Sequence, residues 1–203
     1  MRFAIFASGN GSNFQAIVES VQQQMITGEL ACLFCDQATA YVVERAKQLG
    51  IPYYVLEKTT QHTKSEYESQ ILAILKQEDI ELIVLAGYMK IIGTILLEAY
   101  PNRIINLHPS LLPLFPGKQA ILDAFNARVS ETGITIHVVD DGVDTGPIIY
   151  QEALTIKKNE SLESLERRIH QLEHQIYPQI IQSYMIKGEH KNVEKVSPIK
   201  CVR

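Results

Sequence analysis

Asn106 and His108 are separated by one residue, at the head of the segment Asn106-Leu107-His108-Pro109-Ser110-Leu111-Leu112-Pro113-Leu114-Phe115-Pro116-Gly117. On an extended chain residues two apart face the same side. An amide N–H and an imidazolium N–H presented together can hold an oxyanion. Pro109, Pro113 and Pro116 stiffen the loop, and Pro109 biases His108 toward extended backbone. The alternative is a rigid surface loop with a capping histidine. Ser110 lacks the G-x-S-x-G surroundings of a hydrolase nucleophile.

Two further segments carry chemistry. Asp140-Asp141-Gly142-Val143-Asp144-Thr145-Gly146-Pro147 reads as a loop from its glycines and proline. A carboxylate from it that reached His108 would favour the charged imidazolium. The bland reading is a solvated acidic turn, and the segment is too short for an EF-hand. His137 just before it reads as structural, or as one more polar neighbour. Ser8-Gly9-Asn10-Gly11-Ser12-Asn13 joins a strand to a helix. Its glycines let backbone approach a ligand, Ser12 and Asn13 can cap the helix, and the helix start favours an anion such as phosphate. A P-loop is excluded, because no Gly-Lys-Ser/Thr follows. A dinucleotide turn stays open: Gly9-x-Gly11 is present and Asp36 ends the second strand, but Phe14 occupies the third glycine position.

These segments need elements to hold them. Short apolar runs at 3–7, 30–35, 52–56, 82–86 and 103–106 read as strands, and 14–25, 39–49, 65–77 and 91–99 as the helices between them, with Gly50 as a stop. Near-continuous apolar strands alternating with helices indicate an α/β fold: a doubly wound, mostly parallel sheet flanked by helices. After Asn106 the rhythm changes to a helix at 120–127, strands at 133–139 and 146–154, and a long helix at 162–186 that Gly188 would end. One domain over 1–188 and an irregular polar tail over 189–203 are expected.

Composition narrows the partners. The net charge of −4 argues against nucleic acid, since such binders carry basic faces. No apolar run reaches the ~18 residues of a membrane span. Cys32, Cys35 and Cys201 are too few and too odd for a disulfide framework, which suits a reducing compartment and makes the cytoplasm the default. Cys32 and Cys35 lie on a strand, where a spacing of three sends them to opposite faces, so neither redox nor zinc chemistry is expected. Homo-oligomer formation is left open.

Together the three segments resemble the glycinamide ribonucleotide formyltransferases, folate-dependent enzymes of purine biosynthesis in the formyltransferase family. The similarity runs over 2–186, and Ala86-Gly87-Tyr88-Met89-Lys90 and Glu173-His174-Gln175-Ile176-Tyr177-Pro178 extend it. The resemblance implies a Rossmann-like formyltransferase fold and formyl transfer from 10-formyltetrahydrofolate, a cosubstrate, to the amine of glycinamide ribonucleotide, without a metal. It implies Asn106, His108 and Asp144 as the catalytic set. Gly11, Ser12 and Asn13 would bind the substrate phosphate, Pro109 and Gly117 would line its path, and Glu173 would contact the ribose. Lys64, Met89, Lys90, Ile91, Ile92, Asn106 and the loop Asp140, Asp141, Gly142, Val143 and Asp144 would hold the folate. Tyr88-Met89-Lys90 departs from the familiar Phe-Met-Arg, Lys64 from Arg, Lys118-Gln119 from a nearby His, and His170 from Gln. Related enzymes that formylate initiator tRNA or hydrolyse the formyl-folate carry additional domains for which this chain has no room.

Overall fold

The computed structural model describes residues 1–60 and 62–190. The chain runs β1 (Arg2–Ala7), α1 (Ser12–Gln22), β2 (Glu29–Cys35), α2 (Tyr41–Leu49), β3 (Tyr53–Val55), α3 (Lys64–Gln77), β4 (Leu82–Leu85), α4 (Thr94–Ala99) and β5 (Ile104–His108). It continues through α5 (Ala120–Asn126), β6 (Glu131–Val138), β7 (Ile148–Thr155) and α6 (Leu162–His190). All seven strands form one sheet in the order β3-β2-β1-β4-β5-β6-β7. The first five pair in parallel, while β6 and β7 join antiparallel beyond β5. The chain winds outward from β1 to β3, then returns to β4 on the other side of β1. Order therefore reverses between β1 and β4, and sheets of this kind bind ligands beyond the carboxyl ends of the strands at such a point.

Alternation along the strands builds two apolar layers. Phe3, Ile5, Leu33, Cys35, Val84 and Ile105 face Phe14, Ile17, Val42, Ile169 and Tyr177 from α1, α2 and α6. Ala4, Phe6, Cys32, Phe34, Ile83 and Ile104 face Tyr67, Ile71, Leu75 and Leu96 from α3 and α4. Cys32 and Cys35 thus fall in separate layers, as the strand spacing requires. Burial pushes the Cys32 thiol up to about 12 and raises that of Cys35, so both stay protonated and inert. Each large side chain so buried contributes roughly 1.5–3 kcal/mol, which makes the layered sheet the rigid platform for the loops. Tyr177 ties α6 to that platform: its fully buried hydroxyl, kept protonated by burial, donates to the Leu85 carbonyl at 2.9 Å.

Several boundaries differ from the sequence expectation. Helix α1 begins at Ser12, with Gly11 in the left-handed region at φ 78°, and no side chain caps it. Ser12 and Asn13 are therefore first-turn residues and not caps. Helix α4 starts at Thr94, because Gly93 before it is extended, so Ile91 and Ile92 belong to the loop after β4. Gly50 does close α2, at φ 69°. Helix α6 passes through Pro178 and Gly188 and continues to His190. Gly188 is no stop here: a helical glycine costs only about 1 kcal/mol, which the preceding turns absorb. The remainder of the expected tail, 191–203 with Cys201, lies outside the described residues.

Candidate active site

Strand β5 extends two residues past the sequence expectation and so carries both Asn106 and His108. In the antiparallel pairing with β6, Asn106 lies opposite His137 and His108 opposite Thr135. The β6–β7 loop then folds back over this pair. Asp140 organises it: its Oδ1 accepts from the Gly142 N–H at 3.1 Å and the Thr145 hydroxyl at 2.8 Å. Gly146 permits the fold-back, since a Cβ there would sit 1.8 Å from the Val138 carbonyl oxygen. Asp144, at φ 56°, takes the left-handed conformation that Asp tolerates better than most residues.

The result is a compact polar cluster. Asp144 Oδ2 accepts from the Gly117 N–H at 2.8 Å and lies 3.4 Å from His108 Nδ1. Asp144 Oδ1 lies 3.6 Å from His137 Nε2. His108 Nε2 is 2.9 Å from the Phe115 carbonyl, which only accepts, so this nitrogen carries a proton. A neutral His108 would then aim a lone pair at Asp144, whereas the imidazolium gives each oxygen an N–H. His137 Nδ1 donates to the Val138 carbonyl at 2.9 Å, and its Nε2 meets Asn106 Nδ2 at 3.2 Å. As an N–H, His137 Nε2 serves Asp144 and the Asn106 amide turns its oxygen inward. As a bare nitrogen it accepts from Asn106. At least one Asn106 N–H stays unclaimed by His137 in either state. The neighbouring His137 is the main influence holding the Asp144 carboxyl below the usual carboxylate range. Burial opposes it, and the Gly117 N–H and the charges of His108 and His137 add to it.

Three expected positions, Asn106, His108 and Asp144, are thus brought together, and His137 joins them directly. The sequence offered one signal for His137, its place on the strand that leads into the acidic loop. Ser110 is fully buried and donates to the Leu114 carbonyl at 2.5 Å, which removes it as a nucleophile.

A second cluster lies at the start of α1. The first-turn amides have no partner within the helix. Asn13 Nδ2 donates to Glu173 Oε2 at 2.9 Å, and His170 Nδ1 reaches the same oxygen at 2.8 Å. That contact, foremost, raises the His170 pKa against the opposing effect of burial. Gly11 packs so closely on α2 that a Cβ would fall 2.4 Å from Val42 Cγ2. The turn is stitched to the loop after β4: Ser8 N–H donates to the Gly87 carbonyl at 3.1 Å, and Met89 N–H to Ser8 Oγ at 2.9 Å.

The expected folate contacts divide. Met89, Ile91 and Val143 are 50%, 60% and 51% exposed, unusual for large apolar side chains, while Ile92 is buried. Lys90 Nζ pairs with Asp36 Oδ2 at 2.7 Å, and Lys64 Nζ lies 4.0 Å from Glu68. Asp36 is buried against its lysine and does not stand open for a ribose, and Phe14 fills the place of a third glycine in the core. The dinucleotide reading thus loses the support of Asp36, and Phe14 continues to count against it. Pro109 and Gly117 flank the cluster at the two ends of the proline loop, and Lys118 and Gln119 beyond it are exposed. Among the described residues, no three His, Cys, Asp or Glu side chains are grouped as a metal site needs, and no helix is long and apolar enough to cross a membrane.

The turn after β1 and the amide–imidazole–carboxylate cluster at the end of β5 share the carboxyl edge of the parallel strands, where sheets of this kind bind ligands. The sequence model described as formyl transferase matches residues 1–181, and the chain belongs to that family. Within it, the chain is similar to phosphoribosylglycinamide formyltransferase of Bacillus subtilis (strain 168), 48% identical over 184 residues that cover 91% of this chain and 94% of that protein. The crystal structure of phosphoribosylglycinamide formyltransferase from Bacillus halodurans superimposes with a TM-score of 0.89 at 46% identity, covering 93% of this chain and 97% of that one. Glycinamide ribonucleotide transformylase 1 from Geobacillus kaustophilus gives 0.87 at 49%, covering 90% and 97%.

Proposed function

We propose that the chain transfers the formyl group of 10-formyltetrahydrofolate to the amine of glycinamide ribonucleotide, yielding formylglycinamide ribonucleotide and tetrahydrofolate, in purine biosynthesis. The observation that carries this reading is the Asn106, His108, His137 and Asp144 cluster on the same sheet edge as the Gly11 turn. The kinship with enzymes of that name supports it.

The amine attacks the formyl carbon, a C–N bond forms, and negative charge gathers on the formyl oxygen. The free Asn106 N–H and the His108 imidazolium stabilise that oxygen. The 3.4 Å between His108 Nδ1 and Asp144 is looser than a hydrogen bond, which leaves this N–H open to the oxyanion. Asp144 orients His108. The attacking nitrogen loses its proton, the bond to N10 of the folate breaks, and N10 takes up a proton; a water held near Asp144 relays it.

The ribonucleotide phosphate sits on the amides of Gly11, Ser12 and Asn13, and Glu173 meets the ribose. The exposed Met89, Ile91 and Val143 offer the pterin an apolar rim. With Lys90 committed to Asp36, Lys64 is the freer cation for the folate carboxylates. No resident metal takes part. A cytoplasmic setting goes with buried, unpaired Cys32 and Cys35.

Ligand-dependent melting tests the assignment of the two substrates. A ligand present at 100 times its Kd stabilises the native state by about 2.7 kcal/mol. Glycinamide ribonucleotide and a non-reactive folate analogue should each raise the Tm, and NAD should leave it unchanged. A Tm raised by NAD alone would return the Gly9-x-Gly11 turn to a dinucleotide.

A further inference from the structure

Arg45 has no role in the chemistry above, yet it is bound to the phosphate turn at three points. From α2, its Nε donates to the Asn10 carbonyl at 2.8 Å and one Nη to Asn10 Oδ1 at 2.9 Å. The other Nη donates to Gln15 Oε1 in the first turns of α1. The guanidinium lies over the Tyr41 ring, 4.9 Å from its centroid. Val42, three residues earlier, donates its N–H to the Gly9 carbonyl at 3.0 Å. Among the described residues no carboxylate pairs with Arg45, so its charge is not cancelled beside the turn. It also lines a 440 Å³ cleft with Ser12, Gln15 and His174.

We propose that Arg45 is a positioning residue for the substrate phosphate, its planar fork clamping Asn10 and Gln15 on either side of the 11–13 turn. This rests on the reading that the turn receives the ribonucleotide phosphate. Gly9 and Gly11 give the turn a freedom that would be lost on binding. Arg45 removes that freedom in advance: two bonds fix the residue before Gly11, and the third sets α1 against it. The amides of Ser12 and Asn13 are then aimed before the phosphate arrives. Lysine keeps the charge but is a single point with no fork, so it cannot hold Asn10 and Gln15 together.

The test compares wild type, Arg45→Lys and Arg45→Met with glycinamide ribonucleotide and with glycinamide riboside, which lacks the phosphate. Both variants should raise KM for the ribonucleotide on the order of tenfold, with kcat changed by less than about twofold. For the riboside, kcat/KM should not move. A rise in KM for both substrates would make Arg45 a general scaffold residue and overturn the proposal. A Lys variant equal to wild type would overturn it too, since charge alone would then suffice. Inorganic phosphate titrated as a competitor, or against Tm if wild type forms no product, separates the two readings. No transfer by wild type refutes the functional reading. Equal phosphate affinity in wild type and Arg45→Lys refutes the role of Arg45.

Discussion

Replacing Asp144 with asparagine lowers kcat for formyl transfer on the order of a thousandfold while the protein stays folded. The carboxylate meets His108 at 3.4 Å, His137 at 3.6 Å and the Gly117 N–H at 2.8 Å. The amide matches its shape and can still accept from Gly117, so the loop keeps its anchor. It carries no charge, however, and His108 loses its charged neighbour. Charge on the transition-state oxygen is then stabilised without the carboxylate that orients His108. The variant also loses a pH response. Asp144 titrates below the usual carboxylate range in the folded protein. Its ionised form therefore stabilises the fold at all pH above the unfolded value, and that contribution fades as pH falls through the lowered folded value. Wild type should lose stability there, and Asp144→Asn should show a flatter acid limb. Steady-state rates with thermal melts across pH check both points, and a variant at wild-type kcat would remove Asp144 from the mechanism.

Asn106→Ala should cost roughly a hundred- to a thousandfold in kcat, with a smaller change in KM for the ribonucleotide. Asn106 is held on β5 by its pairing with Leu85 of β4 and His137 of β6, so the backbone does not move when the side chain is trimmed. The donor aimed at the developing oxyanion is lost. A ground-state carbonyl needs that donor less than the oxyanion does, so the loss appears in kcat. Asn106→Asp is the companion: similar in size, it places a negative charge where the oxyanion forms and should be slower still. An Asn106→Ala enzyme defective only in KM would mean that Asn106 binds substrate and does not stabilise the transition state.

Much of this was legible in the sequence for local reasons. Continuous apolar runs marked the buried parallel strands, and the two-residue spacing of Asn106 and His108 placed them on one face. The spacing of three put Cys32 and Cys35 on opposite faces. What escaped depends on contacts distant in sequence. His137 meets Asn106 only through antiparallel register, which nothing within either strand encodes. The Lys90–Asp36 pair joins the loop after β4 to the end of β2, whereas separately Asp36 reads as a possible ribose-binding acid and Lys90 as a folate contact. Asn13 looked like a helix cap, but Glu173 takes its side-chain amide from α6. Helix ends failed where an established helix carried through a weak stop signal, as at Gly188, which α6 crosses.

Formyl transfer is tested by mixing the purified protein with 10-formyltetrahydrofolate, with and without glycinamide ribonucleotide, and following tetrahydrofolate release spectrophotometrically. Release that requires the ribonucleotide, with formylglycinamide ribonucleotide formed in equal amount, is the predicted result. Release at the same rate without the ribonucleotide would mark a hydrolase, and no release from folded protein would rule out formyl transfer.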